Sequence, residues 1–130
     1  MSYRTWNQSS MEQVRDNLTT LSFELVGSGR HRETWRRGNC VIKIPLCNYG
    51  VEDNWQERKL WLKYRTTDKD DVQYARCRLI ANWLLMMEYV EPYHRTKCFQ
   101  DLPKWTHYID CGQVGFNRRG KLLAYDYGVG

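Results

Sequence analysis

The segment Val41-Ile42-Lys43-Ile44 sets a lysine inside an otherwise apolar run. A buried ammonium is costly unless a carboxylate meets it, and the helical stretch that follows offers Glu52 and Glu57. Glu57 shares a helical face with Leu60, Trp61 and Tyr64, whereas Glu52 has only Trp55 as an apolar neighbour. Lys43–Glu57 is therefore the expected pair. Upstream, Gly27-Ser28-Gly29 leads into a hairpin. Glycines there allow backbone N–H groups to approach phosphate closely, which bulkier residues would prevent. The third glycine of a G-x-G-x-x-G loop is missing, and Arg32 stands in its place. Metal chemistry finds less support. The cysteines (Cys40, Cys47, Cys77, Cys98, Cys111) are odd in number with no C-x-x-C pair, and His31, His94 and His107 are scattered. Reduced, structural thiols are expected.

Positioning a strand lysine against a helical glutamate requires a sheet with a helix beside it. Residues 6–20 read as a helix capped by Ser9 or Ser10, with Met11, Val14 and Leu18 on one stripe. Residues 21–26 alternate as a strand into the glycine turn, and strands at 33–36 and 40–45 are joined by Arg37-Gly38-Asn39 in a hairpin. A helix over 51–64 follows, rich in good helix formers. After a charged loop at 65–71 come strands at 77–81 and 83–90, the latter ended by Pro92. Residues 93–105 read as irregular or weakly helical, and a last hairpin joins 112–117 to 121–128 through Arg118-Arg119-Gly120. With no repeat, low-complexity tract or internal linker, the 130 residues read as one domain. The order of elements gives an α+β class with an antiparallel sheet.

Taken in order, Gly27-Ser28-Gly29, Val41-Ile42-Lys43, Glu57, Leu84-Leu85-Met86-Met87-Glu88-Tyr89-Val90 and Asp126-Tyr127-Gly128 resemble the motifs of a protein kinase. The glycine segment, Gly-Ser-Gly-Arg-His-Arg before a strand, is similar to that of small bacterial kinase-like proteins. The resemblance covers residues 21–128. Behind an N-terminal helical segment at 1–20, it implies a kinase N-lobe-like antiparallel sheet with one packed helix and a hinge at 21–91, and a connector with a remnant catalytic-loop hairpin at 92–130, the lower-lobe helices being missing. It further implies that Met87 is a gatekeeper and that Gly27, Gly29, Lys43, Glu88 and Val90 would contact a nucleotide. Asp126 and Gln113 would hold Mg²⁺ if ATP binds, and Lys43, Glu57 and Asp126 would be the catalytic set of an active enzyme.

Departures from the kinase pattern point away from catalysis. Aligned back from Asp126, Gln113 replaces the metal-binding Asn and Tyr108 replaces the catalytic Asp, with Asp110 two residues out of register. Residues 92–105 are too few for the two long helices between hinge and catalytic loop, and four residues follow Asp126, leaving no activation loop. Loss of a general base costs roughly 10²- to 10⁴-fold. Loss of the substrate platform costs more, because phosphoryl transfer depends on positioning.

Composition narrows the class further. With 42% apolar residues, six Trp and nine Tyr, the chain can bury a core. No run of eighteen apolar residues occurs and none follows Met1, so neither a membrane span nor a signal peptide is expected, and a cytoplasmic location is. The net charge of +5 gathers at Arg30, His31, Arg32, Arg36, Arg37 and at Arg118, Arg119, Lys121, both read as solvated turns. No recognised nucleic-acid motif accompanies them. The expected function is that of a catalytically inactive kinase-like protein that binds another protein, or a second copy of itself. It would regulate or inhibit a host enzyme, as suits a virus or mobile element. Tyr93, Trp105, Tyr108 and Arg119 are the expected anchors. No cofactor is expected, and any Mg-ATP binding is expected to be weak. A small active ATP-dependent kinase completed by a partner, a basic nucleic-acid-binding module and a scaffold without ligand remain open alternatives.

Overall fold

The computed structural model describes residues 6–66, 71–93, 102–108 and 113–126. Helix α1 (Gln8–Thr20) starts from Asn7, whose side-chain oxygen accepts the Ser10 N–H at 2.8 Å. The cap is therefore Asn7 rather than Ser9 or Ser10; all three types suit the position. Met11 and Leu18 of the expected stripe are buried and Val14 is half-buried.

Strands β1 (Glu24–Ser28), β2 (Arg32–Arg37) and β3 (Cys40–Pro45) form an antiparallel meander. The β2–β3 loop is two residues long, with Gly38 at φ 58°, a conformation glycine adopts at little cost. Gly27 and Ser28, expected in a turn, instead pair with Thr34 and Glu33. A bulge between Leu25 and Gly27 takes up Val26 and lets the ladder run on. The tight turn follows, closed by Gly29 N–H donating to Arg32 O at 2.8 Å.

Helix α2 (Asn48–Tyr64) begins a turn earlier than the sequence suggests. Gly50 explains the difference: a Cβ there would lie 2.2 Å from His31 O, so only glycine lets this turn sit against the backbone entering β2. Strands β4 (Cys77–Leu79) and β5 (Leu85–Glu88) complete a five-stranded antiparallel sheet in the order β1-β2-β3-β5-β4.

Pro92, expected to end a strand, belongs to a short one. β6 (Glu91–Pro92) pairs with β7 (Val114–Phe116), which pairs with β8 (Leu122–Ala124). A proline is tolerated there because the ladder is short and peripheral. Asn117 shapes the β7–β8 turn by accepting the Arg119 and Lys121 N–H groups, while Gly120 takes φ 79°. The connector contributes a 3₁₀ turn, Lys104–Tyr108. On its far side β8 is held by residues 73–75: Ala75 N–H donates to Ala124 O and Ala124 N–H to Gln73 O, each at 2.8 Å.

Two apolar clusters lie on opposite sides of β3. Ile42 and Ile44 pack under α1 with Met11, Leu18 and Leu84. Val41 joins Leu85, Met87, Val90, Val114 and Leu123, so one core unites both sheets. The molecule is thus α+β, with two helices and antiparallel sheets, as the order of elements implied. Among the described residues no helix is long and apolar enough to cross a membrane.

Candidate functional site

Alternation along β3 sends Lys43 to the same side as Val41, toward α2 and β8. Its Nζ donates to Glu57 Oε1 at 2.8 Å and to Tyr125 O at 2.6 Å. Glu57 is fully buried, which agrees with its place on the apolar face of the helix. The expected pair is therefore present, although it does not stand alone.

Arg32 completes it. Its Nη2 donates to Glu57 Oε2 at 2.7 Å and to Asp126 Oδ1 at 2.6 Å, while Nη1 donates to Asn54 Oδ1 at 3.0 Å. Asn54, one helical turn before Glu57, donates to Lys43 O at 3.0 Å and Trp83 O at 2.8 Å. Among the described residues no buried side-chain nitrogen or oxygen lacks a partner. Lys43, Glu57 and Asp126 alone would carry a net negative charge; Arg32 brings the cluster to neutrality. That balance was the available signal for Arg32, which the sequence offered only as a departure from a glycine motif. Asn54 carried no comparable mark.

Electrostatics follow from this packing. Burial raises the Glu57 carboxyl, but Lys43 and Arg32 outweigh it and bring the pKa down to about 2. Burial lowers Lys43, and its attraction to Glu57 only partly offsets that. For Arg32 burial also pulls downward, but Glu57 and Asp126 prevail and the group stays protonated.

Asp126 is partly exposed, and both of its oxygens are engaged. Oδ1 accepts from Arg32. With the Gln113 amide oriented so that its nitrogen faces the carboxylate, Gln113 donates to Oδ2 at 2.8 Å. The opposite orientation would set oxygen against oxygen. Each Asp126 oxygen thus already accepts one protein donor, and Gln113 presents its nitrogen rather than its oxygen, so a divalent cation bridging this pair would require the Gln113 amide to turn and would compete with Arg32. No group of three or more His, Cys, Asp or Glu poised for a metal occurs among the described residues. Cys40, Cys47 and Cys77 are free thiols; Cys98 and Cys111 lie outside the described residues.

Beside this network lies a cavity of about 360 Å³ whose walls include Gly27, Lys43, Glu88, Val90 and Asp126. Five of the residues expected to contact nucleotide or metal thus converge, although Gly29 and Gln113 are not in the wall. No atom lies within 4 Å of where a Gly27 Cβ would stand, so its surroundings are open. The Arg36 guanidinium carbon sits 3.2 Å from the centroid of the Tyr89 ring, in the same wall.

The expected interaction anchors divide. Trp105 is 5% exposed and belongs to the core cluster that includes Val114 and Leu123 of the β7–β8 hairpin, so it is no surface anchor. Tyr93 is half-buried against Phe116, with ring centroids 6.1 Å apart. The Tyr108 side chain lies outside the described residues. Arg119 is exposed. The reading of residues 30–37 as solvated turn charge fails at Arg32, which is buried in β2, because the close approach of α2 at Gly50 encloses it.

The chain matches no protein-family model and no curated protein.

Proposed function

We propose that the chain is a kinase-like protein that does not transfer phosphate and that acts by binding another protein, regulating or inhibiting a host enzyme. Support for the kinase-like part comes from the sheet order β1-β2-β3-β5-β4, the strand lysine paired with Glu57 of α2, and the return of Asp126 to that pair after the β7–β8 hairpin. The observation that carries the inactive part is the Arg32 guanidinium. It bridges Glu57 and Asp126 at 2.7 and 2.6 Å, so a fixed protein cation neutralises the carboxylate that a kinase would give to its metal. A metal-bound cofactor at Asp126 would meet the charge of a buried, doubly paired arginine already on Oδ1.

Calorimetry with millimolar Mg-ATP, together with a phosphate-release assay, tests this. The wild type is expected to show no turnover and a melting shift of no more than a degree or two. A ligand at a hundred times its dissociation constant would contribute about 2.7 kcal/mol, or on the order of ten degrees for a domain of this size. A shift that large, with turnover abolished by Lys43→Ala, would overturn the inactive reading. In Arg32→Gly, which frees Asp126, a larger Mg-ATP shift than in the wild type is the expected result.

A further inference from the structure

We infer that the arginine-lined groove at the β4 edge of the larger sheet is a docking site for an extended, acidic polypeptide segment, an inference that rests on the protein-binding reading above. The groove encloses about 700 Å³ between the β2–β3 turn, the C-terminal half of α2 and the strand pair β4–β5. Arg37, Arg58, Arg65, Arg76 and Arg78 line it. A second recess of about 260 Å³ shares Arg65 and Arg76 and adds Arg118, Arg119 and Lys121 from the β7–β8 turn. These eight cations exceed the formal charge of the whole chain, +5.

Charge pairing elsewhere makes the concentration informative. The ion pairs among the described residues are Arg15–Glu33, His31–Asp53, Lys43–Glu57 and the two made by Arg32. None of them draws on the groove. The one carboxylate among its described lining residues, Glu88, is engaged: Oε1 accepts from Asn117 Nδ2 at 3.0 Å and Oε2 from the Arg76 N–H at 2.7 Å. The guanidinium fork matches carboxylate geometry in a bidentate way. Gathering such groups with no ion-paired counter-charge among the described residues costs the fold self-repulsion that an anionic partner would relieve.

Spacing selects the shape of that partner. Glu88 N–H donates to Arg76 O at 2.9 Å, so Arg76 extends the β4–β5 ladder by one residue. Arg76 and Arg78 therefore project from one face, two residues apart, at roughly 6.6–6.8 Å along the strand. An extended segment with acidic residues at alternate positions repeats at the same interval. A single-stranded nucleic acid is disfavoured because it needs open aromatic faces. Trp61 is half-buried, with the guanidinium carbons of Arg58 and Arg65 at 5.5 and 5.8 Å from its ring. Among the described residues the well-exposed aromatic rings, Tyr49 and Phe116, lie outside both recesses.

The test uses the full chain and three labelled probes in fluorescence anisotropy: a twelve-residue peptide with Glu at alternate positions, a peptide of the same composition with its Glu residues in one block, and oligo(dT). Expected is binding of the alternating peptide at low salt, several-fold tighter than the block peptide and weakened at least tenfold in Arg65→Gln/Arg76→Gln/Arg78→Gln. That variant is checked for an unchanged melting temperature, and single substitutions are used if the triple does not fold. Absence of peptide binding at low salt, or equal binding by wild type and variant, overturns the groove as a site. Tighter binding of oligo(dT), lost in the same variant, replaces the polypeptide with a nucleic acid and likewise overturns it. A host protein captured equally by wild type and variant would leave the protein-binding reading standing while removing the groove. Phosphate turnover by a chain that still binds the alternating peptide would leave the groove standing while removing the inactive reading.

Discussion

Two groups of cations in this molecule share amino-acid types and differ in everything around them. Arg32 and Lys43 are buried, each meets carboxylate at 2.6–2.8 Å, and the backbone of Tyr125 and the amide of Asn54 take their remaining bonds. Arg65, Arg76 and Arg78, some residues away across β5, are exposed and meet no carboxylate among the described residues. Met87 and Glu88 stand in the walls of both the cavity beside the first group and the groove lined by the second. A cation taken out of water is retained only with its counter-charge, so the first group is explained by folding alone. Among the described residues the side chains of the second group meet only the Trp61 ring, through Arg65, and the proposed acidic segment would supply their counter-charge.

The sharpest way to break this contrast is to unbalance the buried group. Glu57→Gln leaves two cations facing a neutral amide in a fully buried position. Removing one partner from a buried ion pair costs about 3–5 kcal/mol, which corresponds to a melting drop on the order of ten degrees or more. Chemical denaturation of the variant checks this; a loss under about 1 kcal/mol would mean that the network is ornamental and the contrast false.

Acid titration reaches the same group without mutation. The folded-state pKa of Glu57 is about 2 against an ordinary 4.5. A depressed carboxyl contributes stability that is complete above the unfolded value and is lost as pH falls through the folded one. Stability should therefore decline between about pH 4.5 and pH 2, by about 3 kcal/mol from this residue alone. Glu33, held low by Arg15 and Trp35 against the upward pull of burial, acts in the same direction. In Glu57→Gln the decline should be shallower. An equal slope in both proteins would assign the acid sensitivity elsewhere.

What the sequence made legible follows the range of the interactions involved. The β2–β3 hairpin and the Lys43–Glu57 pair could be read because each depends on a neighbouring stretch: a glycine turn between strands, and a lysine in an apolar run followed by a helix with one inward glutamate. Arg32 was misplaced because its burial depends on two distant events, the approach of α2 at Gly50 and the return of Asp126 from 94 positions away. Strand β6 was missed for a similar reason, since Glu91 finds its partner only at Phe116. Trp105 could not be separated from a surface anchor by type, because large aromatics serve both cores and interfaces. The groove was also hidden, its cations coming from four separate stretches of chain; Arg37 at the end of β2 and Arg118, Arg119 and Lys121 at the β7–β8 turn were the visible part.

The smallest expected effect sharpens the comparison most, because it sets a groove arginine that the fold uses beside one that it does not. Arg58 Nη1 donates to Cys77 O at 2.5 Å, tying α2 to the edge strand. Arg58→Gln should therefore cost about 1 kcal/mol, the net worth of a hydrogen bond in a part-buried place. Arg78, at the neighbouring position of β4, has no such bond to lose among the described residues. Arg78→Gln should change stability by no more than about 0.5 kcal/mol, and at low ionic strength the sign should favour the variant because repulsion from the surrounding guanidinium groups is relieved. At about 1 M salt, where screening acts within about 3 Å, that gain should vanish while the Arg58 loss persists. Paired denaturation curves at the two salt concentrations measure both terms. If Arg78→Gln costs as much as Arg58→Gln in either condition, the groove arginines are structural and no external anion is needed to account for them.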